Sequence, residues 1–238
     1  MIDFSHRHIM LKLSGEMLGG QQGYGIDGDA LEMIAGEIAD TRKLGCKVSV
    51  VIGGGNIFRG SAAAKWGIER ASADYMGMLA TIINGLALQA TLENKYQIET
   101  RVMTAITMPE VAEPYIRRKA IKHLNSGRVV IFAGGTGNPL FTTDTAASLR
   151  AREVGADIIL KATKVDGIYD SDPMKNPGAK KFSSLSYLDV ISKKLDVMDA
   201  TAITMCMEAN LPIMVFKLGA PGSVRAAVLN PNVGTMVT

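Results

Sequence analysis

The segment of residues 129–148 constrains the fold of this chain most strongly. It begins with Val129–Ala133, an apolar and largely β-branched run that predicts a buried strand. A glycine-rich turn at residues 134–137 follows, where the backbone can take positive φ values and approach a ligand closely. A helix capped by Thr143 or Asp144 comes next, and its unpaired N–H groups favour an anionic or hydroxyl-rich small molecule.

A lone glycine cluster is typical of an ordinary strand-to-helix turn, but a second loop repeats the design. The apolar run of residues 48–52 leads directly into Gly53, Gly54 and Gly55, and Arg59 follows. Three successive glycines weaken a plain turn entropically, whereas they let backbone N–H groups reach a phosphate, which the planar guanidinium of Arg59 also suits. The spacing does not match GxGxxG, so the sequence predicts a phosphate site and no dinucleotide fingerprint.

Lys12 interrupts the apolar run of residues 9–13 and stands just before Ser14 and Gly15. One interpretation is a buried first strand that carries a cation to its carboxyl end, where open α/β sheets bind ligands. The other is an edge-strand lysine that reaches solvent. The glycine-rich loop of residues 19–25 follows, but no Gly-Lys-Ser/Thr closes it, so it is not a Walker A motif.

Apolar runs alternate with helical patterns along the whole chain. Strands are predicted at residues 9–13, 48–52, 100–103, 128–133, 157–163, 213–216 and 234–237. Helices are predicted from Asp27 or Asp29 to Gly45 and at residues 68–96, 111–124, 144–153, 187–195, from 199 onward and at 222–229. This alternation predicts an α/β fold with a mainly parallel, open sheet covered by helices on both faces. We expect one domain over residues 1–238, with two lobes and a cleft along the carboxyl ends of the strands.

Composition excludes several classes of protein. The net charge of +3 comes without a lysine- and arginine-rich run, so nucleic-acid binding is not indicated. Cys46 and Cys206 are isolated, which argues against a disulfide framework or a zinc site and suits a reducing cytoplasm. The N-terminus lacks the pattern of a secretory signal, and two amides interrupt the apolar residues 75–90, which we read as a buried helix shorter than a membrane span needs.

Several acidic and aromatic residues have two readings. Asp74 could accept hydrogen bonds from ribose hydroxyls or merely favour a helix N-terminus, and Asp199 could serve chemistry or only cap a helix. Tyr169 could stack on a base. The aspartates at residues 166–172 lack the EF-hand pattern, so a calcium loop is the weaker interpretation and no metal ligand is assigned.

Five segments resemble the amino acid kinase family, and within it the uridylate kinase branch. They are residues 12–16, 51–60, 74–81, 135–144 and 161–167, which keep the family order over nearly the whole chain. The triple-glycine segment with Asn56 and Arg59, combined with Thr136-Gly137-Asn138-Pro139, is the most specific part of the resemblance.

The resemblance implies transfer of the γ-phosphoryl group of ATP to UMP with Mg²⁺, in de novo pyrimidine nucleotide synthesis. The residues implied as catalytic are Lys12, Arg59, Asp144 and Asp199. Those implied to bind ATP are Lys12, Leu13, Ser14, Gly15, Gly55, Arg59, Thr163, Tyr169 and Asp172. Those implied to bind UMP are Gly54, Asp74, Thr136, Gly137, Asn138, Pro139, Leu140, Phe141, Thr142 and Thr143. The N-terminal part is then the UMP lobe, and the part from about residue 157 is the ATP lobe.

The same resemblance implies regulation and assembly. It assigns GTP activation to the loop Gly20, Gln21, Gln22, Gly23, Tyr24 and Gly25, and it implies UTP inhibition and a cytoplasmic homohexamer without nucleic-acid or membrane partners. Two alternatives stay open: a family enzyme that phosphorylates a carboxylate or carbamate, and a nucleotide- or anion-binding protein without turnover. Lys12, Arg59, Asp144 and Asp199 together argue against the second, since a mere binder need not balance charge during transfer.

Overall fold

A nine-stranded sheet organises the protein. The computed structural model describes residues 8–195 and 197–238. The strands are β1 His8–Leu13, β2 Lys47–Ile52, β3 Thr100–Thr104, β4 Glu113–Pro114, β5 Val129–Ala133, β6 Ile158–Thr163, β7 Ser184–Leu185, β8 Ile213–Lys217 and β9 Thr235–Val237. The helices are α1 Gly28–Arg42, α2 Gly60–Ala63, α3 Arg70–Tyr96, α4 Arg117–Asn125, α5 Thr143–Val154, α6 Tyr187–Ser192, α7 Ala200–Ala209 and α8 Ser223–Leu229. Short 3-10 turns stand at Gly15–Met17, Ala64–Trp66 and Pro231–Val233.

The predicted α/β class is confirmed by the strand order β4-β3-β5-β2-β1-β6-β8-β9-β7. The pairs are parallel except that β8 and β9 run antiparallel. The neighbours β5, β2, β1 and β6 therefore all end at one edge of the sheet. The two glycine loops and the residues after Lys12 leave the sheet at this edge, as parallel strands require.

Helices cover both faces of the sheet because side chains alternate along each buried strand. In β1, Ile9, Leu11 and Leu13 enter the apolar cluster under α1, α3 and α8, whereas Met10 enters the cluster under α4, α5, α6 and α7. Every strand in the middle of the sheet thus contributes to both clusters. The sheet holds the two halves of the chain in one three-layer arrangement.

The helix predicted at residues 111–124 is wrong at its start. Glu113 and Pro114 form the short strand β4, and the helix begins at Arg117. Pro114 lacks an N–H group and disfavours helical φ and ψ for the residue before it, so the helix can begin only afterwards. The short elements α2, β4 and β7 were not expected, because two to four residues show no readable periodicity.

The long helix α3 is the one helix in the described ranges that is long and apolar enough to cross a membrane. The helix has 27 residues, so the expectation that this segment is too short to span a membrane is wrong. A core helix of a soluble protein passes the same test, and Ile82, Leu88 and Leu92 are buried in the core. The predicted buried helix is confirmed on this side, while Tyr75 and Ile83 are exposed on the other. The expected lack of a secretory signal concerns mainly residues 1–7, outside the described residues.

Candidate active site

Two lysines and an aspartate meet at the carboxyl edge of the sheet. Parallel pairing of β1 with β6 puts Lys12 directly opposite Lys161 in register. Asp144, in the first turn of α5, forms an ion pair with Lys12 and accepts a hydrogen bond from the Lys161 ammonium at 2.8 Å. Lys161 also donates to the carbonyl of Val197. The carboxylate thus bridges two ammonium groups from adjacent strands.

The cluster is buried, which strengthens its electrostatics. Lys12 is 7 % exposed, so the edge-strand interpretation is wrong. Burial lowers the pKa of Lys12, while the charge of Asp144 opposes that effect. Burial alone would raise the pKa of Asp144, but attraction and hydrogen bonds from Lys12 and Lys161 outweigh it and hold that pKa below its usual value. Two cations around one anion leave a net positive charge that suits a phosphoryl group.

Thr142 caps α5, so the expected cap at Thr143 or Asp144 is wrong by one or two residues. The Thr142 hydroxyl accepts from the N–H of Asp144 at 3.0 Å and from that of Thr145 at 3.4 Å. It donates in turn to Asp199, whose Oδ2 also accepts from the Thr145 hydroxyl at 2.8 Å. Asp199 Oδ1 accepts from the N–H of Ala202 and caps α7. Asp199 therefore joins the N-termini of α5 and α7.

The triple-glycine turn packs tightly where β2 ends. Gly53 donates its N–H to the carbonyl of Leu13 at 2.9 Å, which ties the turn to β1. A Cβ atom at Gly54 would lie 2.7 Å from the carbonyl oxygen of Gly77, so no larger residue fits there. Gly15 is equally constrained, since its Cβ would lie 2.6 Å from the carbonyl oxygen of Gly53.

Arg59 contacts Glu16 instead of the lysine cluster. Its Nη2 lies 2.8 Å from one Glu16 oxygen, and the Lys164 ammonium lies 3.0 Å from the other. The hydrogen bond from Lys164 and the nearby cations lower the pKa of Glu16. One carboxylate thus holds cations from the loops after β2 and β6, and both cations remain largely exposed to an arriving anion.

A cavity of about 160 Å³ opens between the two glycine loops and the N-terminal part of α3. It is lined by Gly54, Gly55, Phe58, Gly60, Ala73, Asp74, Gly77, Met78, Thr81, Gly135, Phe141, Thr142 and Thr143. Six of these residues were expected from sequence, namely Gly54, Gly55, Asp74, Phe141, Thr142 and Thr143. The structure therefore brings the predicted phosphate turn and the predicted acceptor loop to one cavity.

The remaining residues predicted to bind UMP lie in the loop beside this cavity. Residues 136–140 are absent from its lining, although Asp74 connects them to it. The Asp74 carboxylate accepts from the N–H of Leu140 at 2.8 Å and from Nε of Arg70 at 3.0 Å. The Thr136 hydroxyl and the backbone of Asn138 hydrogen-bond each other at 3.2 Å. Asp74 thus contacts the loop through its carboxylate, beyond any effect on the helix dipole.

The predicted ATP residues fall into two groups. Leu13, Ser14 and Gly15 follow Lys12 at the end of β1, and the Ser14 hydroxyl caps the turn that carries Glu16. Thr163 ends β6 and donates to the carbonyls of Val165 and Phe216. Tyr169 donates to Asp166 at 2.6 Å, and Asp172 accepts from the N–H of Met174 at 2.9 Å. Tyr169 and Asp172 lie in the segment after β6, and neither lines the cavity.

The loop predicted to mediate activation lies against the triple-glycine turn. Gly20, Gly23 and Gly25 have positive φ values, and the exposed side chains of Gln21, Gln22 and Tyr24 stand between them. Gly25 donates its N–H to the carbonyl of Asn56 at 2.8 Å. The loop is thus attached to the turn at its C-terminal end.

No role was predicted for Lys161, Glu16, Lys164, Met78 or Thr81. The signal for Lys161 is the same as that for Lys12, namely a lysine within an apolar strand just before its carboxyl end. That the two lysines meet depends on strand register, which the sequence does not specify. Thr81 and Met78 belong to a helix face that reads as ordinary core.

These features define a class of protein in which a buried pair of lysines and two glycine loops serve an anionic substrate. The chain belongs to the amino acid kinase family, whose family profile matches residues 8–217.

Three solved structures narrow the comparison. The chain is similar to a UMP kinase from Bacillus anthracis, with 46 % identity and a TM-score of 0.94 over 98 % of this chain and 96 % of that one. It is similar to a UMP kinase from Ureaplasma parvum, with 38 % identity and a TM-score of 0.92 over 98 % of each chain. A uridylate kinase from Archaeoglobus fulgidus shares 27 % identity, with a TM-score of 0.75 over 97 % of this chain and 99 % of that one.

Proposed function

We propose that the protein is a UMP kinase, which transfers the γ-phosphoryl group of ATP to UMP and releases UDP and ADP in pyrimidine nucleotide synthesis. The observation that carries this proposal is the buried cluster of Lys12, Asp144 and Lys161 beside the glycine-lined cavity. The full-length similarity to UMP kinases from Bacillus anthracis and Ureaplasma parvum supports UMP as the acceptor.

The lysine cluster supplies the charge that phosphoryl transfer needs. This reaction asks little covalent chemistry of a protein and depends mostly on positioning and on stabilising charge at the equatorial oxygens. Lys12 and Lys161 neutralise the transferring group, and Asp144 holds both ammonium groups in place. Asp199 holds the α5 N-terminus through Thr142, so it acts as a positioning residue. Arg59 leaves Glu16 to bind phosphate oxygens.

The acceptor binds in the cavity. Asp74 accepts hydrogen bonds from the ribose, Gly54 contributes the phosphate turn, and the Thr136–Thr143 loop surrounds the uridine. The donor binds on the side of β1 and β6, where Lys12 to Gly15, Gly55, Arg59 and Thr163 hold its phosphates. Tyr169 and Asp172 hold the adenosine end, at a distance from the cavity. The N-terminal part thus serves as the UMP lobe, and the part from about residue 157 serves as the ATP lobe.

Mg²⁺ accompanies the nucleotide in this proposal. The described residues contain no group of three or more His, Cys, Asp or Glu side chains that could hold a metal ion. Mg²⁺ does not need such a group, because in many kinases it is held by substrate phosphates and water together with one or two carboxylates. Asp144 and Asp199 are the carboxylates nearest the lysines and would take this role. When bound, the ion neutralises phosphate charge.

Regulation and assembly complete the proposal. GTP activates through the loop of residues 20–25, UTP inhibits, and the protein is a cytoplasmic homohexamer. These statements rest on the family resemblance. The exposed apolar side chains of Tyr75, Leu79 and Ile83 on α3 support assembly, because a soluble protein gains by covering such a surface.

A coupled assay of ADP release tests the proposal. With ATP and Mg²⁺, we expect turnover with UMP and none with glutamate, acetylglutamate, aspartate or carbamate, and CMP and dUMP define the breadth of acceptor use. A reaction without acceptor is the control for simple ATP hydrolysis. Turnover with a carboxylate would establish the alternative kinase, and no turnover with any acceptor would favour a binding protein.

A further inference from the structure

Two asparagines form a buried amide pair behind the triple-glycine turn. Asn84, on α3, is fully buried, and Asn56, just after the glycines, is 3 % exposed. Asn84 Nδ2 donates to Asn56 Oδ1 at 2.7 Å, and Asn56 Nδ2 donates to Asn84 Oδ1 at 3.1 Å. The two side chains therefore hold each other through a reciprocal pair of hydrogen bonds.

Each amide donates once more, and each of these bonds ends on backbone of the surrounding loops. Asn84 donates to the carbonyl of Gly53 at 2.8 Å, where β2 passes into the turn. The Asn56 side chain donates to the carbonyl of Gly25 at 2.6 Å, and the backbone carbonyl of Asn56 accepts from the N–H of Gly25. All four side-chain N–H groups are used, as burial of two amides requires.

The turn has little freedom to move independently of this pair. A Cβ atom at Gly15 would lie 2.6 Å from Asn56 Oδ1, and one at Gly54 would lie 2.8 Å from the Cβ of Ala80. The glycines therefore lie in direct contact with β1 on one side and with α3 on the other. A displacement of Asn56 must move the backbone that carries the proposed phosphate contacts.

We infer that Asn56 and Asn84 act as one positioning unit, which sets the triple-glycine turn against α3 and couples it to the loop of residues 19–25. This inference rests on the proposed function, because it assigns the pair a role in aligning the phosphate site. Neither residue lines the cavity, so both act through the backbone of their partners.

Kinetics of the single variants Asn56→Asp and Asn84→Asp, and of one combined variant, test the unit. Each single change keeps the side-chain shape and removes two donors. We expect each to lower kcat/KM by roughly 10²-fold, since a displacement of about 1 Å can cost that much. Two facing carboxylates would repel each other, so the combined variant is Asn56→Leu with Asn84→Leu, which should lose no more than the more damaged single variant because both break the same unit. Losses that multiply would overturn the inference.

Hydrogen exchange of the segment 19–27 gives a readout independent of turnover. Asn56→Asp should raise exchange there, since the amides of Gly23, Gly25 and Asp27 are hydrogen-bonded in the intact structure. The matched control is Thr81→Val, on the same helix as Asn84. It removes the Thr81 hydroxyl, which accepts a hydrogen bond from the N–H of Gly134. It should leave exchange in 19–27 unchanged. Unchanged exchange in Asn56→Asp would overturn the coupling.

A buried aspartate could prevent folding, so an apolar pair provides a second route. Asn56→Leu combined with Asn84→Leu removes the two amides that pair with each other and leaves only the carbonyls of Gly25 and Gly53 without these donors, a smaller cost than burying a carboxylate. We expect this variant to melt cooperatively, to exchange faster in 19–27 and to lose about tenfold or more in kcat/KM. Wild-type kcat/KM with wild-type exchange would overturn the inference. If the wild type itself lacks UMP turnover, the proposed function fails, whereas the exchange comparison still decides the coupling.

Discussion

At the residue scale, the proposed chemistry depends on two lysines that face each other across a pair of parallel strands. Like charges this close repel, and Asp144 compensates by bridging them. Because the cluster is desolvated, each charge acts more strongly on a phosphoryl group than it would in water. The cost of burial is met by pairing, so the site can remain charged before a nucleotide binds.

Lys12→Ala should mainly lower kcat. Its charge matters most as charge redistributes on the transferring phosphoryl, so the loss should reach about 10²-fold or more, with a smaller effect on the KM values. Steady-state kinetics with UMP and ATP measures this. Lys43→Ala is the control, since Lys43 is an exposed lysine that pairs with Asp40 on α1. An effect confined to the KM for UMP would contradict the role of Lys12.

Asp74→Asn should raise the KM for UMP and spare that for ATP. The carboxylate lines the cavity proposed for UMP and accepts hydrogen bonds from Leu140 and Arg70, so an amide loses hydrogen-bonding capacity on the proposed UMP side only. Initial rates with each substrate varied in turn separate the two constants. If the KM for ATP changed instead, the lobes would be assigned the wrong way round.

His8 should lower the free energy of unfolding as the pH falls below neutrality. Burial lowers the pKa of His8 from 6.5 to about 4. Between these pH values the unfolded chain binds a proton that the folded protein does not, so unfolding becomes easier as pH falls from 6.5 to 4. The difference amounts to about 3 kcal/mol. Urea unfolding of wild type and His8→Gln, which can still bond Ser49, should diverge by this amount across that range. Parallel pH profiles would show that His8 titrates normally in the folded state.

The residues of the candidate site could be predicted from the sequence only where neighbouring residues in the chain indicate their position. Lys12 interrupts an apolar strand, and Asp144 stands at a helix start. Lys161 has the same local signal, but its partnership with Lys12 arises from pairing between strands far apart in sequence. Asn84 sits in a helix that reads as core, and its partners Gly53 and Asn56 lie in the loop after β2, 31 and 28 residues away in sequence. Such long-range contacts leave no periodic trace.

At the element scale, strands were easier to predict than short or irregular pieces. The buried strands β1, β2 and β5 are mainly apolar runs followed directly by serine or glycine, so their ends are marked. The two-residue strands β4 and β7 exist only because neighbours pair with them. Local preference cannot reveal an element that tertiary pairing creates.

Glu37 should stabilise the protein by capping a helix to which it does not belong. The N-cap of α8 is Gly222, which has no side chain, and the buried carboxylate of Glu37 on α1 accepts from the N–H groups of Gly222 and Val224 instead. Glu37→Ala should lower the free energy of unfolding by about 1–3 kcal/mol, since two buried donors lose their partner.

Denaturant unfolding measures the effect of Glu37→Ala. Glu32→Ala is the matched control on the same helix, because Glu32 pairs with Lys95 at the surface, where loss of an ion pair should change the free energy of unfolding very little. Equal losses of unfolding free energy in the two variants would show that the cap at α8 stabilises the protein no more than a surface ion pair does.

At the scale of the whole molecule, the two proposed lobes share one sheet. The proposed boundary near residue 157 lies just before β6. Because β1 pairs with β2 on one side and with β6 on the other, strands from both lobes are joined through β1. Both apolar clusters draw residues from both halves of the chain. The lobes can therefore bind different nucleotides while the chain folds as one domain over residues 1–238, as we propose.

The two cysteines can test this unity, since each reports on a different part of the molecule. Cys46 is buried in the cluster under α1 and α3, and Cys206 in the cluster under α5 and α7. Burial raises the pKa of the Cys206 thiol and keeps it unreactive. Thiol labelling of Cys46→Ala and Cys206→Ala, followed across a denaturant series, should give one common midpoint that coincides with the loss of helical signal. Because strands central to the sheet serve both clusters, neither thiol can be exposed fully while the other cluster persists. A lower midpoint for Cys206 would instead mean that the part beyond residue 157 unfolds on its own, and the chain would then be two domains that share a sheet edge.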